Sequence, residues 1–221
     1  LVVLQALDAG GKDGTISHVF GACNPQGTQV FSFKPPTPEE QAHDFLWRVH
    51  PHVPKRGDIA IFNRSHYEDV LITKVHGLID KKTWRARCKH IRRFEELLVD
   101  QGTHVLKFYL HISKEEQLRR FGDRLKDPER NWKISESDYT ERQHWDEYIK
   151  VFEDVIAATS TKAAPWFVIP ANYKWFRNLA VSQIIANTME RLQMSYPPPS
   201  VNLMDIRLRY HMEEREEKAR G

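Results

Sequence analysis

The stretch Leu1-Val2-Val3-Leu4-Gln5-Ala6-Leu7-Asp8-Ala9-Gly10-Gly11-Lys12-Asp13-Gly14-Thr15-Ile16 joins an apolar run to a helical start through a glycine-rich turn. Glycines let backbone N–H groups converge on phosphate oxygens, the following helix presents its positive end, and Lys12 can reach the phosphoryl group being moved. The match to the Walker A pattern is incomplete. Ala6 stands where the first glycine usually lies, Gly11-Lys12 form the Gly-Lys pair, and Asp13 replaces the hydroxyl residue that ordinarily touches magnesium. Metal binding is therefore expected elsewhere, first at Asp8, as a magnesium ligand or as the orienter of an acceptor phosphate. Ala9, Gly10, Gly11, Asp13, Gly14 and Thr15 are the expected phosphate-binding positions. A tight turn alone would explain the glycines, but not a lysine and an acid together at the carboxyl end of a strand, where open α/β sheets bind ligands.

Working outward, short β-rich runs alternate with stretches of helical period, the pattern of βαβ units and a parallel sheet. Five strands are expected, at Val2 to Leu7, Gln29 to Phe33, Asp58 to Phe62, Thr103 to His111 and Trp166 to Ile169. Helices are expected at about 12–22, 38–50, 66–79, 83–100, 114–126, 139–159 and 173–193. Thr37 before Pro38 and Glu39-Glu40, and Ser113 before Glu115-Glu116, are helix-start signals. The fold class is α/β: a P-loop kinase-like three-layer α/β/α arrangement with a five-stranded parallel sheet and a helical lid. Residues 1–196 are expected to form the phosphotransferase domain, with the lid at about 114–136. The run Pro197-Pro198-Pro199 ends the last helix, and 197–221 are read as a peripheral tail.

A second polar cluster follows the third strand: Asn63-Arg64-Ser65-His66-Tyr67-Glu68-Asp69. In a P-loop architecture that strand lies beside the first, and an acid at its end usually holds magnesium. Here the strand ends in Asn63, so Asn63 and Asp69 join Asp8 as candidate metal positions, and Glu68 is expected to contact metal-bound water or the acceptor. Arg64 can clamp a phosphate bidentately. Farther along, the helix bearing Arg124 and Lys126 breaks at Asp127-Pro128 before Trp132-Lys133. It reads as a hinged cover, with Arg124, Lys126 and Lys133 closing on transferring phosphates and excluding water. Lys81 to Arg93 carries seven Lys or Arg residues and no acid. Trp84, Cys88, Ile91 and Leu98 are expected to form an apolar inward stripe, with Glu95 at the same spacing excepted, and the basic side chains largely on the other faces.

Composition narrows the classes. The chain has 221 residues, 40% hydrophobic and 29% charged, with scattered prolines and glycines, which fits a globular protein and not a low-complexity one. No apolar run approaches the roughly 18 to 20 residues of a membrane span. Cys23 and Cys88 offer neither a metal-ligand spacing nor a disulfide framework, and a reducing cytoplasm is the expected setting. The apolar opening lacks a basic n-region and a cleavage site, so no signal peptide is expected. A net charge of +3 does not indicate a polyanion partner by itself.

With these residues in view, the chain resembles the polyphosphate kinase 2 family over nearly its whole length. The resemblance is carried by Asp8-Ala9-Gly10-Gly11-Lys12-Asp13-Gly14, by Phe62-Asn63-Arg64-Ser65-His66-Tyr67-Glu68-Asp69-Val70-Leu71, and by Arg124-Leu125-Lys126-Asp127-Pro128 through Trp132-Lys133-Ile134-Ser135. It implies a fold like that of thymidylate kinase and inorganic polyphosphate as phosphoryl donor or product. It also implies AMP, ADP and ATP as nucleotide partners, Mg²⁺ with Mn²⁺ as its substitute, and a homo-oligomer, commonly a tetramer, with a dimer the other expectation. Many members have Asp where this chain has Asn63. That departure, followed by Glu68-Asp69, looks like the class III subgroup, which phosphorylates nucleoside mono- and diphosphates. The family's segment ahead of the first strand is not in this sequence. The competing readings are an ATP-dependent nucleoside monophosphate kinase, sharing cradle and lid, and a nucleic-acid-binding module using the basic 81–93 helix. The second lacks a recognisable base-reading motif, so a nucleic-acid partner is not expected.

Overall fold

The computed structural model describes residues 1–220. These build one all-parallel sheet of β1 (Val2–Gln5), β2 (Thr28–Ser32), β3 (Ile59–Asn63), β4 (Leu106–His111) and β5 (Trp166–Pro170), in the order β2-β3-β1-β4-β5. Each expected strand is present. β1 is central and buried throughout, and its Val-Val-Leu run is what a strand covered on both faces requires. It pairs with β3 through Val2 to Ile61, Val3 to Phe62 and Leu4 to Asn63. The turn after β1 and the polar cluster after β3 therefore open at the same sheet edge.

The helices are α1 (Lys12–Phe20), α2 (Pro38–Ala42), α3 (Ile72–Val75), α4 (Lys81–Asp100), α5 (Lys114–Lys126), α6 (Glu136–Gln143), α7 (Trp145–Thr159), α8 (Lys174–Arg191) and α9 (Leu203–Arg220). Alternation along the strands divides the core in two. Val3, Phe62 and Tyr109 join Ile91 and Phe94 of α4 and Phe152 and Val155 of α7 in one cluster. Val2, Leu4, Ile61, Phe108 and Leu110, at the alternate positions, are buried as well, as are Phe20 of α1 and Phe121 of α5. Both faces are covered, the α/β/α layering expected of the sequence. The chain divides into a compact unit of Leu1–Gln183 and a second that begins at Ile184.

Several helices are shorter than their periodicity predicts, for local reasons. The stretch expected as helix at 38–50 keeps only α2, capped reciprocally by Thr37 and Glu40. Past it, the Asp44 carboxylate accepts the Leu46 N–H at 3.0 Å, a turn that competes with helix continuation, and Pro51 sits in a 3-10 turn at His50–His52. The stretch 66–79 is a 3-10 turn at His66–Asp69, started by the Ser65 hydroxyl accepting the Tyr67 N–H, followed by the single turn of α3. The stretch 139–159 becomes α6 and α7, separated at His144. The tail, expected to lack core potential, does expose every described side chain or leave it half-buried, yet it contains α9. Asn202 accepts the Met204 N–H at its start, and Lys218–Glu214 and Arg220–Glu216 ion pairs lie one turn apart along it.

Glu95 corrects the reading of α4. It is 1% exposed and belongs to the inward stripe. Its partner is Lys107 on β4, also fully buried: the Nζ lies 2.5 Å from Glu95 and donates to the Tyr67 hydroxyl at 3.0 Å and to the Thr159 carbonyl at 2.9 Å, while the Tyr67 hydroxyl donates to Glu95 at 2.7 Å. Burial pulls the Lys107 pKa down, Glu95 opposing it, and pushes the Tyr67 phenol well up. The quartet ties β4, α4 and the end of α7 to Tyr67, three residues past Arg64. Lys107→Met would strand a buried carboxylate, and a loss of about 3–5 kcal/mol is expected. Urea unfolding should register that loss, with most of it recovered in the Glu95→Leu/Lys107→Met double variant.

Candidate active site

At the carboxyl edge of β1 and β3 lies a cavity of about 850 Å³ lined by the turn Asp8 to Gly14, by Asn63 and Arg64, and by side chains of α5, the segment after it, α6 and α8. Its backbone is unusual where the sequence singled it out. Ala9 and Arg64 have φ values of 58° and 59°, and Gly11 has φ 100°. Non-glycine residues in this region are uncommon and cluster at functional sites. The φ of Gly11 favours glycine, and a Cβ there would displace the Arg177 guanidinium.

The carbonyls of the turn are held from within. Lys12 Nζ donates to the Ala6 carbonyl at 2.9 Å, Gln117 to that of Asp8 at 3.0 Å, and Arg120 to that of Ala9 at 2.8 Å. Arg120 also donates to Ala171, Asn172 and Glu116. It is a clamp between α5, the cradle and the loop before α8. Thr15 is buried, and its hydroxyl donates back to Gly11. Within α1 the first amides have no carbonyl four residues back in the helix, which leaves them for a ligand.

Arg64 donates to Asp8 at 2.9 Å and approaches Glu68 at 3.6 Å. Burial works against its charge, but Glu68 and Asp8 outweigh that and raise its pKa. Burial raises the Glu68 pKa against the pull of Arg64 and Lys12. Lys12 is lowered to about 8 by burial and by Arg64, with Asp8 opposing. Asn63 donates to Asp13 at 2.8 Å, and Lys133 Nζ stands 3.9 Å from the same carboxylate. Arg124 donates to the Lys133 carbonyl at 3.0 Å and lies 3.6 Å from Asp138.

The structure thus brings Asp8, Ala9, Gly10, Gly11, Lys12, Asp13, Gly14, Asn63, Arg64, Arg124 and Lys133 to one cavity. Of the four expected residues outside that lining, Thr15 is buried beneath the turn, Lys126 is exposed, and Asp69 turns its carboxylate to 3.8 Å from Arg87 of α4. Glu68 stands behind Arg64 without lining the cavity. Sequence reasoning passed over Arg120, Asp138, Lys174 and Arg177. Arg177 is 3% exposed, has no carboxylate within 4.0 Å among the described residues, and has its pKa lowered to about 10 by burial and by Arg120. Altogether nine cationic and four acidic side chains line the cavity among the described residues.

A parallel α/β sheet whose central strand runs through a glycine turn and a lysine into a helix, under a cavity with this excess of positive charge, defines a P-loop phosphotransferase. Within that class the chain belongs to the polyphosphate kinase 2 family, whose pattern matches residues 1–197. It is 54% identical over 199 residues to an AMP/ADP-polyphosphate phosphotransferase of Meiothermus ruber, covering 90% of this chain and 74% of the relative. It is 48% identical over 209 residues to an ADP-polyphosphate phosphotransferase of Rhodopseudomonas palustris, covering 89% and 72%. The crystal structure of polyphosphate kinase 2 from Arthrobacter aurescens TC1 superposes with a TM-score of 0.93 at 44% identity, covering 96% of this chain and 75% of that one.

The depressed Lys12 pKa has a readable consequence. Below pH 8 the ammonium is charged and available to an anion; above it the free enzyme loses that charge, while a bound polyanion would hold the proton on. An alkaline limb near pH 8 is expected in kcat/KM, which reports the free enzyme, and at higher pH in kcat. Initial rates across pH 6.5–9.5 check this, and Lys12→Arg should move the kcat/KM limb upward.

Proposed function

We propose that this polyphosphate kinase transfers a terminal phosphoryl group from inorganic polyphosphate to AMP and to ADP, with Mg²⁺, and runs reversibly because one phosphoanhydride replaces another. The observation that carries the reading is the convergence of Lys12, Arg64, Arg124, Lys133 and the carboxylate-free Arg177 on one cavity at the glycine turn. The relative named for both AMP and ADP, and Asn63 followed by Glu68-Asp69 in this chain, support the double acceptor range.

The acceptor phosphate is anionic near neutral pH, so positioning and charge neutralisation do more than a general base. Turn amides and Lys12 would hold the phosphate being transferred, with Arg64 and Arg177 flanking it. Arg64 in turn is oriented by Asp8 and Glu68. Arg124 and Lys133 lie on a lid running from α5 through the Asp127-Pro128 break, where they neutralise charge on the leaving phosphate and exclude water. The acids suit a divalent cation of the magnesium kind. No group of three or more His, Cys, Asp or Glu side chains converges among the described residues to cage a metal, and Mg²⁺ is usually held by one or two carboxylates with waters and substrate phosphates. Asp8 and Asn63 would hold it, and it would neutralise phosphate oxygens as transfer proceeds. The Asp69 carboxylate, facing Arg87, is less well placed for this role.

Lys12→Ala should lower kcat by roughly 10²–10³ with polyphosphate as donor, the loss typical of one electrostatic contact to the transition state. A time course of AMP, ADP and ATP with long-chain polyphosphate and Mg²⁺, without added ATP, tests the function directly. Conversion of AMP to ADP and on to ATP is expected; turnover of AMP only when ATP is supplied would replace this reading by an ATP-dependent monophosphate kinase.

A further inference from the structure

The basic stretch of α4 is not used by the site just described. Its side chains at Lys82, Arg85, Lys89 and Arg92 recur at helical spacing along one exposed face, spanning about 15 Å at 1.5 Å per residue. Arg85, Lys89, Arg92 and Arg93 line a groove of about 360 Å³, floored by Trp84, Cys88 and Ala158. It shares no lining residue with the active cavity. Glu96 is the one acid in the lining, 3.9 Å from Arg92, and Arg85, Lys89 and Arg93 have no carboxylate within 4.0 Å among the described residues.

Two features show that this arrangement does not serve the helix. Like charges three and four residues apart repel along a helix face. The first turn of α4 carries Lys81 and Lys82 and no acid, at the end whose dipole disfavours cations, and only the Asp80 cap offsets it. A local rule broken with no gain to folding is the mark of a functional surface. The topology gives that surface a direction. α4 follows the carboxyl end of β3 and leads to the amino end of β4, so it runs from the active-site edge of the sheet toward the opposite edge.

We infer that the exposed basic face of α4 is a second, non-catalytic docking site for polyphosphate, holding a chain at a distance from its reacting end. A row of cations whose groove aromatic, Trp84, is half-buried, tied through its indole N–H to the Val70 carbonyl and covered by Lys74, suits a featureless linear polyanion better than a single-stranded nucleic acid, whose bases call for open stacking platforms. The inference rests on the proposed donor, and the test separates the two.

The Arg85→Glu/Lys89→Glu/Arg92→Glu variant is compared with wild type using tripolyphosphate and polyphosphate of several hundred units, with circular dichroism to confirm folding. The expected result is a KM for the long donor raised about tenfold or more with a flatter salt dependence, and KM for tripolyphosphate and both kcat values within twofold. Equal changes with both donors, or none with either, would overturn the inference, as would loss of single-stranded RNA binding with the long-chain KM unchanged. Should the triple variant not fold, Lys89→Glu alone gives the same comparison with a smaller ratio expected, and a ratio of one would be decisive against the site. Absence of turnover with either donor in the wild-type enzyme would instead defeat the proposed function.

Discussion

Positive charge crowded into a cavity with too few acids is the constraint on which this molecule turns. Lys12, Arg120 and Arg177 meet around Gly11 in partly desolvated surroundings, where like charges repel more strongly than in water. Burial is the main cause of the depressed pKa values of Lys12 and Arg177, and repulsion adds to it, from Arg64 on Lys12 and from Arg120 on Arg177. The protein tolerates the arrangement by giving each cation a separate hold. Arg64 leans on Asp8 and Glu68, Arg120 spends its donors on carbonyls and on Glu116, and Arg124 is tied to the Lys133 carbonyl and to Asp138. What remains uncompensated is suited to a chain of phosphates.

The scaffold beneath is correspondingly stiff. β1 and β3 fix the two polar turns side by side through their register, and Arg64 N–H extends that pairing by donating to the Leu4 carbonyl. Below the turn after β3, Tyr67 is locked into the buried quartet with Glu95 and Lys107. A buried ion pair of this kind contributes little net stability, but breaking it is expensive. Here it ties Tyr67, three residues past Arg64, to β4 and the end of α7.

Much of this was readable in the residues. The five strands, the cradle from Asp8 to Gly14, and the convergence of Asn63-Arg64 with it follow from alternation and from the edge rule for parallel sheets. Arg120 and Arg177 were not readable, because no local motif surrounds them. Which member of Arg119-Arg120 turns inward depends on the rotational phase of α5, and Arg177 lies in an ordinary helix whose packing alone brings it under Gly11. Glu95 was misplaced because a charge on an apolar stripe looks like an exception until its partner, twelve residues along the chain, is seen on the neighbouring strand. The short α2 and α3 reflect side-chain turns at Asp44 and Ser65, which periodicity does not register.

The bonds from Gln117 and Arg120 to the cradle carbonyls make α5 a beam anchored at its amino-terminal half. Its carboxyl-terminal half carries Arg124, one turn beyond the second anchor and held to the Lys133 carbonyl. A swing of the whole beam would drag the glycine turn with it, so a lid motion of the kind proposed would fall past Arg120, at Gly122 and the Asp127-Pro128 corner. Such a motion would admit and release substrate without loosening the hold of Gln117 and Arg120 on the turn.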